Sequence, residues 1–75
     1  MRYAYPATLE IEQGGRVTAF FDGLPGATWG ETREEALDRA KDLLATAIDM
    51  LREDGDAIPP PAPANGRPIV ETELN

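Results

Sequence analysis

Cysteine and histidine are both missing from these 75 residues. Their absence excludes disulfides, thiol nucleophiles and imidazole bases or metal ligands, so a Ser–His or Cys–His hydrolase is ruled out in its usual form. Any metal site would have to be built from carboxylates alone. No apolar run approaches the roughly 18 residues of a membrane span, and no secretory leader pattern opens the chain. The expected location is therefore cytoplasmic. Basic residues are few, seven Lys and Arg against fourteen Asp and Glu, for a net charge of −7. That balance lacks the basic stripe with which proteins displace counterions from nucleic acid. It suits either plain solubility or an encounter with a basic partner. A chain this short makes one domain, residues 1–75, and buries only about 60% of its unfolded surface.

What is present reads first as strands. Over residues 3–12, Tyr3, Tyr5, Ala7, Leu9 and Ile11 alternate with polar neighbours, the period of a half-buried strand. Pro6 has no N–H and belongs near the start of paired structure or at a bulge. Residues 16–21 form a second strand after Gly14-Gly15. A two-residue loop would set Leu9 across from Phe20 and split the apolar sets. A three-residue loop, Gln13-Gly14-Gly15, sets Ile11 across from Val17 and Leu9 across from Ala19, and gives a glycine the left-handed position such loops need. Val17, Ala19 and Phe21 then join Leu9 and Ile11 on the core face, and Phe20 points away. Residues 22–26, with two glycines and a proline, break the strand, and residues 27–30 form a short third one carrying Trp29.

The helix follows. Thr32 is a good N-cap, and Glu35 three residues later makes a capping box. Ala36, Leu37, Ala40, Leu43, Leu44, Ala47, Ile48 and Leu51 form an apolar stripe at spacings of three and four. The predicted span is 33–54, stopped by Gly55. Pro59-Pro60-Pro61-Ala62-Pro63 is an extended connector, compatible also with a proline-rich ligand. Asn65-Gly66 turns the chain, and residues 68–74 alternate again as a last strand. The preference for right-handed crossovers places that strand parallel to the first and beside it. The expected architecture is α+β, β-β-β-α-β, with a four-stranded sheet ordered 3-2-1-4 and the helix on one face.

Glu10, Glu12, Glu71 and Glu73 would share the face away from the helix if the first and last strands are neighbours. Converging carboxylates could organise metal chemistry, but alternating Glu on an open strand face is ordinarily solvated surface. Neither glycine pair has the strand-to-helix context of a phosphate-cradling loop. No enzyme, cofactor or metal is expected. Phe20 among those carboxylates has instead the form of a binding patch, an aromatic anchor in a polar rim. The candidate contact set is Glu10, Glu12, Phe20, Glu71 and Glu73, serving a basic partner or self-association. Trp29 reads as core or interface filler.

Several segments in fixed order carry a family likeness: Tyr5-Pro6-Ala7, Phe21 before Leu24-Pro25-Gly26, Gly30-Glu31-Thr32, and Glu34-Glu35-Ala36-Leu37. Ala40, Leu51, Glu53-Asp54-Gly55 and Ile58-Pro59 extend it. The chain resembles the N-terminal domain of HicB-type antitoxins. The resemblance implies a partly formed RNase H-like fold and a function: neutralising HicA, a small basic ribonuclease that cleaves mRNA. Ala27 stands where relatives commonly carry Cys. HicB proteins usually continue into a DNA-binding module that these residues do not include, so no direct DNA binding is expected of them. The alternative is a homo-oligomeric domain of the same family, structural or regulatory, with no toxin.

Overall fold

The computed structural model describes residues 1–75. Its elements are β1 (Arg2–Pro6), β2 (Thr8–Ile11), β3 (Val17–Phe20), β4 (Ala27–Gly30), α1 (Arg33–Glu53) and β5 (Ile69–Glu73). The class is α+β, with five strands in two antiparallel sheets, β1–β5 and β2–β3–β4. The hairpin register is the one that apolar matching selects, with Ile11 opposite Val17 and Leu9 opposite Ala19. Glu12 donates its N–H to the Arg16 carbonyl at 2.7 Å, leaving Gln13-Gly14-Gly15 as the loop, and Gly15 takes a φ of +93°.

Two expectations about the sheet need correction. The long first strand is interrupted at Ala7, and the last strand runs antiparallel to it, with Arg2 opposite Glu73 and Pro6 opposite Ile69. One four-stranded sheet ordered 3-2-1-4 does not form. The connector explains the reversal. Arg52 Nη2 donates to the Asn75 carbonyl at 2.8 Å, so the chain's end lies against the last turn of α1. Pro68 and Ile69 border its first half, beside Glu34 and Leu37. Strand β5 therefore runs in the same sense as α1, and residues 54–68 make the return journey. Extended at about 3.1 Å per residue, a proline-rich segment covers the roughly 32 Å of a helix this long. The parallel-crossover preference then has nothing to act on. The connector is pinned where it passes the sheets. Arg67 donates to the carbonyls of Pro63 (2.7 Å) and Ala64 (3.1 Å), to Thr8 Oγ1 (2.8 Å) and to Asp22 Oδ2 (2.9 Å). The Tyr5 hydroxyl donates to the Pro59 carbonyl.

The interruption at Ala7 has a backbone logic. Leu74 donates to the Met1 carbonyl and Ala7 to the Pro68 carbonyl, both at 2.9 Å. Bonded pairs alternate along an antiparallel ladder, so Tyr3–Thr72 and Tyr5–Val70 are the bonded pairs between them. Pro6 falls at a non-bonded position, where a missing N–H costs nothing. In β2 the bonds go the other way, from the even-numbered residues to β3. The first twelve residues thus serve β5 with one edge and β3 with the other.

Helix α1 packs over β3, β4 and β5. Leu44 and Ile48 are fully buried, with Ala36, Ala40 and Ala47 beside them, against Tyr5, Ala7, Val17, Ala19, Phe21, Leu24 and Val70. Leu9, Leu37, Leu43 and Leu51 are only partly covered. Ile11 was expected in this core and is instead 80% exposed. It lies at the hairpin end of β2, the strand of its sheet not covered by the helix. The alanines let the helix come close. Gly30 completes that approach, since a Cβ there would stand 2.5 Å from the Ala36 nitrogen.

Candidate partner-binding surface

The predicted capping residues are in place, with one displacement. Glu35 donates its N–H to Thr32 Oγ1 at 3.1 Å, while its carboxylate accepts from the N–H of Glu31, one residue before the cap, also at 3.1 Å. At the other end Gly55 has φ +73°, Gly55 N–H reaches the Arg52 carbonyl and Asp56 N–H the Leu51 carbonyl. That pair of bonds is a Schellman stop, so α1 ends at Glu53 with Asp54 as its cap. Leu24 is buried, and Gly26, at φ +91°, lets the turn after Pro25 pass within reach of the Leu43 side chain. Leu24, Pro25, Gly26, Gly30, Thr32 and Glu35 thus set where β4 and α1 meet.

The five candidate contact residues divide between the two sheets. Glu10 lies opposite Thr18, which lies opposite Trp29, and Phe20 stands half-buried between Thr8 and Ala27. These residues share the face of β2–β3–β4 that turns away from Val17 and Ala19. Glu12, at the hairpin end, accepts from Thr18 Oγ1 at 2.8 Å and stands 3.9 Å from Arg16. Glu71 and Glu73 belong to β5, opposite Ala4 and Arg2. They are exposed and neighbour Lys41 of the helix. The structure therefore brings Glu10, Glu12 and Phe20 onto one face and places Glu71 and Glu73 in the other sheet. No three carboxylates gather closely enough to hold a metal ion.

Two features escaped the sequence reading. Of the two places expected for Trp29, core or interface, its 41% exposure excludes the first, and its ring is flanked by the guanidinium groups of Arg16 at 4.6 Å and Arg39 at 5.2 Å. Such stacking is worth about 0.5–1 kcal/mol at an exposed site. Arg39 also donates to the Trp29 carbonyl at 2.9 Å and stands 3.4 Å from Glu35, so it closes the outer edge of β4. Continuing the hairpin register into β4 would have put Trp29 on the outer face beside Thr18. The second feature is a groove of about 600 Å³ between the first half of α1 and β5. Leu37 and Val70 line it, with Glu34, Asp38, Lys41 and Glu71 around them. Pairing a helix with a strand that follows a long connector leaves no local signal.

Burial, and then the neighbouring Tyr3 phenol, push the pKa of Tyr5 up.

No protein-family model matches the chain. Curated proteins do. It is 44% identical over 72 residues to "Antitoxin HicB 1" of Photorhabdus laumondii subsp. laumondii, across 95% of this chain and 46% of that protein. To "Antitoxin HicB" of Escherichia coli K12 it is 45% identical over 62 residues, 81% of this chain and 45% of that one. The chain belongs to the HicB-type antitoxin family. A second Photorhabdus relative, "Antitoxin HicB 2", matches 67 residues at 42% identity, 89% of this chain and 48% of its own. The chain spans about half the length of these HicB relatives. No helix in it is long and apolar enough to cross a membrane.

Proposed function

We propose that this chain is the toxin-binding module of a toxin–antitoxin pair, which neutralises a small basic HicA-type ribonuclease by contact and has no catalysis of its own. The observation that carries the reading is 42–45% identity to proteins named Antitoxin HicB over most of the chain. Charge supports it. A net −7 suits a partner that must present Lys and Arg to RNA phosphates, and opposite potentials speed encounter. The contact residues are drawn from Glu10, Glu12, Phe20, Glu71 and Glu73, and the work is done in the cytoplasm, where mRNA is cleaved. The test is co-expression with the basic product of the neighbouring reading frame. Growth should be rescued by this chain. Rescue should be lost when Phe20→Ala, Glu71→Lys and Glu73→Lys are combined in a chain that still folds. Failure of the unmutated chain to rescue defeats the reading.

A second reading, self-association, is favoured by one observation. Ile11 is 80% exposed on β2, and the bonding pattern turns the backbone groups of Leu9 and Ile11 toward that strand's open edge. Two copies joined there would cover both isoleucines. Sedimentation should show a dimer that Ile11→Lys converts to monomer; a monomer of the unmutated chain at high micromolar concentration defeats this reading.

A further inference from the structure

We infer that the outer edge of β5, with the groove beside α1, accepts an extended strand of the basic partner; the inference rests on the toxin-binding reading above and names the surface that performs it. The ladder with β1 uses the backbone groups of Pro68, Val70, Thr72 and Leu74. Ile69, Glu71 and Glu73 therefore turn their N–H and C=O groups outward, and none of these meets a partner within the chain. An open row of this kind is a template for another strand. The outer edge of β4, by contrast, is closed by Arg39 on the Trp29 carbonyl and by the close seat of Gly30 on Ala36. Nothing comparable covers β5, and Ile69 is 51% exposed at its start.

The occupant follows from charge. A second copy of this chain paired antiparallel about Glu71 would set Glu71 against Glu71, and like charges directly opposite destabilise a sheet. Glu34 and Asp38 on the neighbouring helix face add to that repulsion, with Lys41 the one opposing charge in the groove. A basic strand reverses every one of these signs. Its side chains on one face would carry Lys or Arg to Glu71 and Glu73. Alternate residues on the other face would be apolar and lie against Leu37 and Val70.

The experiment is amide hydrogen exchange by NMR on the 75-residue chain, free and bound to a catalytically inactive form of the basic toxin from the neighbouring reading frame. On binding, the Ile69, Glu71 and Glu73 amides should slow at least about tenfold. Val70 and Thr72, already bonded to β1, should be protected in both states. A complex that forms while those three amides stay unprotected overturns the inference and leaves the toxin-binding reading standing. No complex at all overturns both. Protection that appears in the chain alone as its concentration rises assigns the edge to a second copy and also overturns it. In parallel, Glu71→Lys should weaken toxin affinity about tenfold or more without changing the melting temperature. Asp49→Lys, an equal charge reversal on the exposed side of α1, should weaken it far less, and equal losses from the two variants would count against a local site.

Discussion

A methyl group at Gly30 would meet the backbone nitrogen of Ala36 at 2.5 Å and the Glu35 carbonyl carbon at 2.9 Å. Both atoms belong to one peptide unit of the helix, and backbone cannot swing aside as a side chain can, so Gly30→Ala should cost about 1–3 kcal/mol, toward the upper end, in urea unfolding. Leu44→Ala removes the centre of the core from a fully buried position and should cost about 2–5 kcal/mol. Tyr5 combines packing with a hydrogen bond to Pro59, and its pKa is raised from the ordinary 10.0. The folded chain thus holds the phenolic proton more tightly than the unfolded chain does. The stability this provides is complete below about pH 10 and is lost as pH rises through the higher folded value. Above pH 10 the melting temperature of the unmutated chain should fall more steeply than that of Tyr5→Phe; parallel curves would show that the proton plays no part. At this scale the sequence was informative wherever a residue faced the helix, as with Leu44, Ile48, Val17 and Phe21. Ile11 was misplaced, and Trp29 was left between core and interface, because alternation tells which side of a strand a residue takes, not whether anything covers it.

Elements were legible in proportion to how locally they are determined. The helix start at Thr32 needed only the cap and Glu35, and the stop needed only Gly55 in a left-handed conformation. Thr32→Ala should therefore cost about 1 kcal/mol, read as a lower urea midpoint with an unchanged slope. The first hairpin was equally local, since loop length and apolar matching agree on one register. The direction of β5 was not local. It depends on where residues 54–68 are pinned, by Arg67 on Thr8 and Asp22 and by Tyr5 on Pro59, contacts between residues remote in sequence. Most of the Arg67 contacts are to backbone carbonyls and hydroxyl rather than to charge, and its ion pair with Asp22 is half open to solvent, so the global cost of Arg67→Ala should be modest. The local effect should be larger, with faster proteolysis and amide exchange across residues 60–67. If that segment stays as protected as before, the connector is held by its prolines and Tyr5 alone.

For the whole molecule, the acidic surface was legible from composition, but its division between two sheets was not, because that division follows from the interruption of the first strand at Ala7. The consequence is kinetic. A chain at −7 meeting a basic toxin should associate quickly at low salt and more slowly as ionic strength rises, since charges more than about 10 Å apart are screened at 0.1 M. Reversing Glu71 and Glu73 together changes the net charge from −7 to −3 by replacing two negative with two positive side chains. It should lower the association rate and flatten its salt dependence. Phe20→Ala removes no charge, so if its face is also covered its effect should fall on dissociation. Stopped-flow association at several salt concentrations separates these outcomes. A rate as salt-sensitive in the Glu71→Lys/Glu73→Lys chain as in the unmutated one would mean that the toxin is steered elsewhere, and the carboxylates of Glu10 and Glu12 on the other sheet would then be the next to reverse.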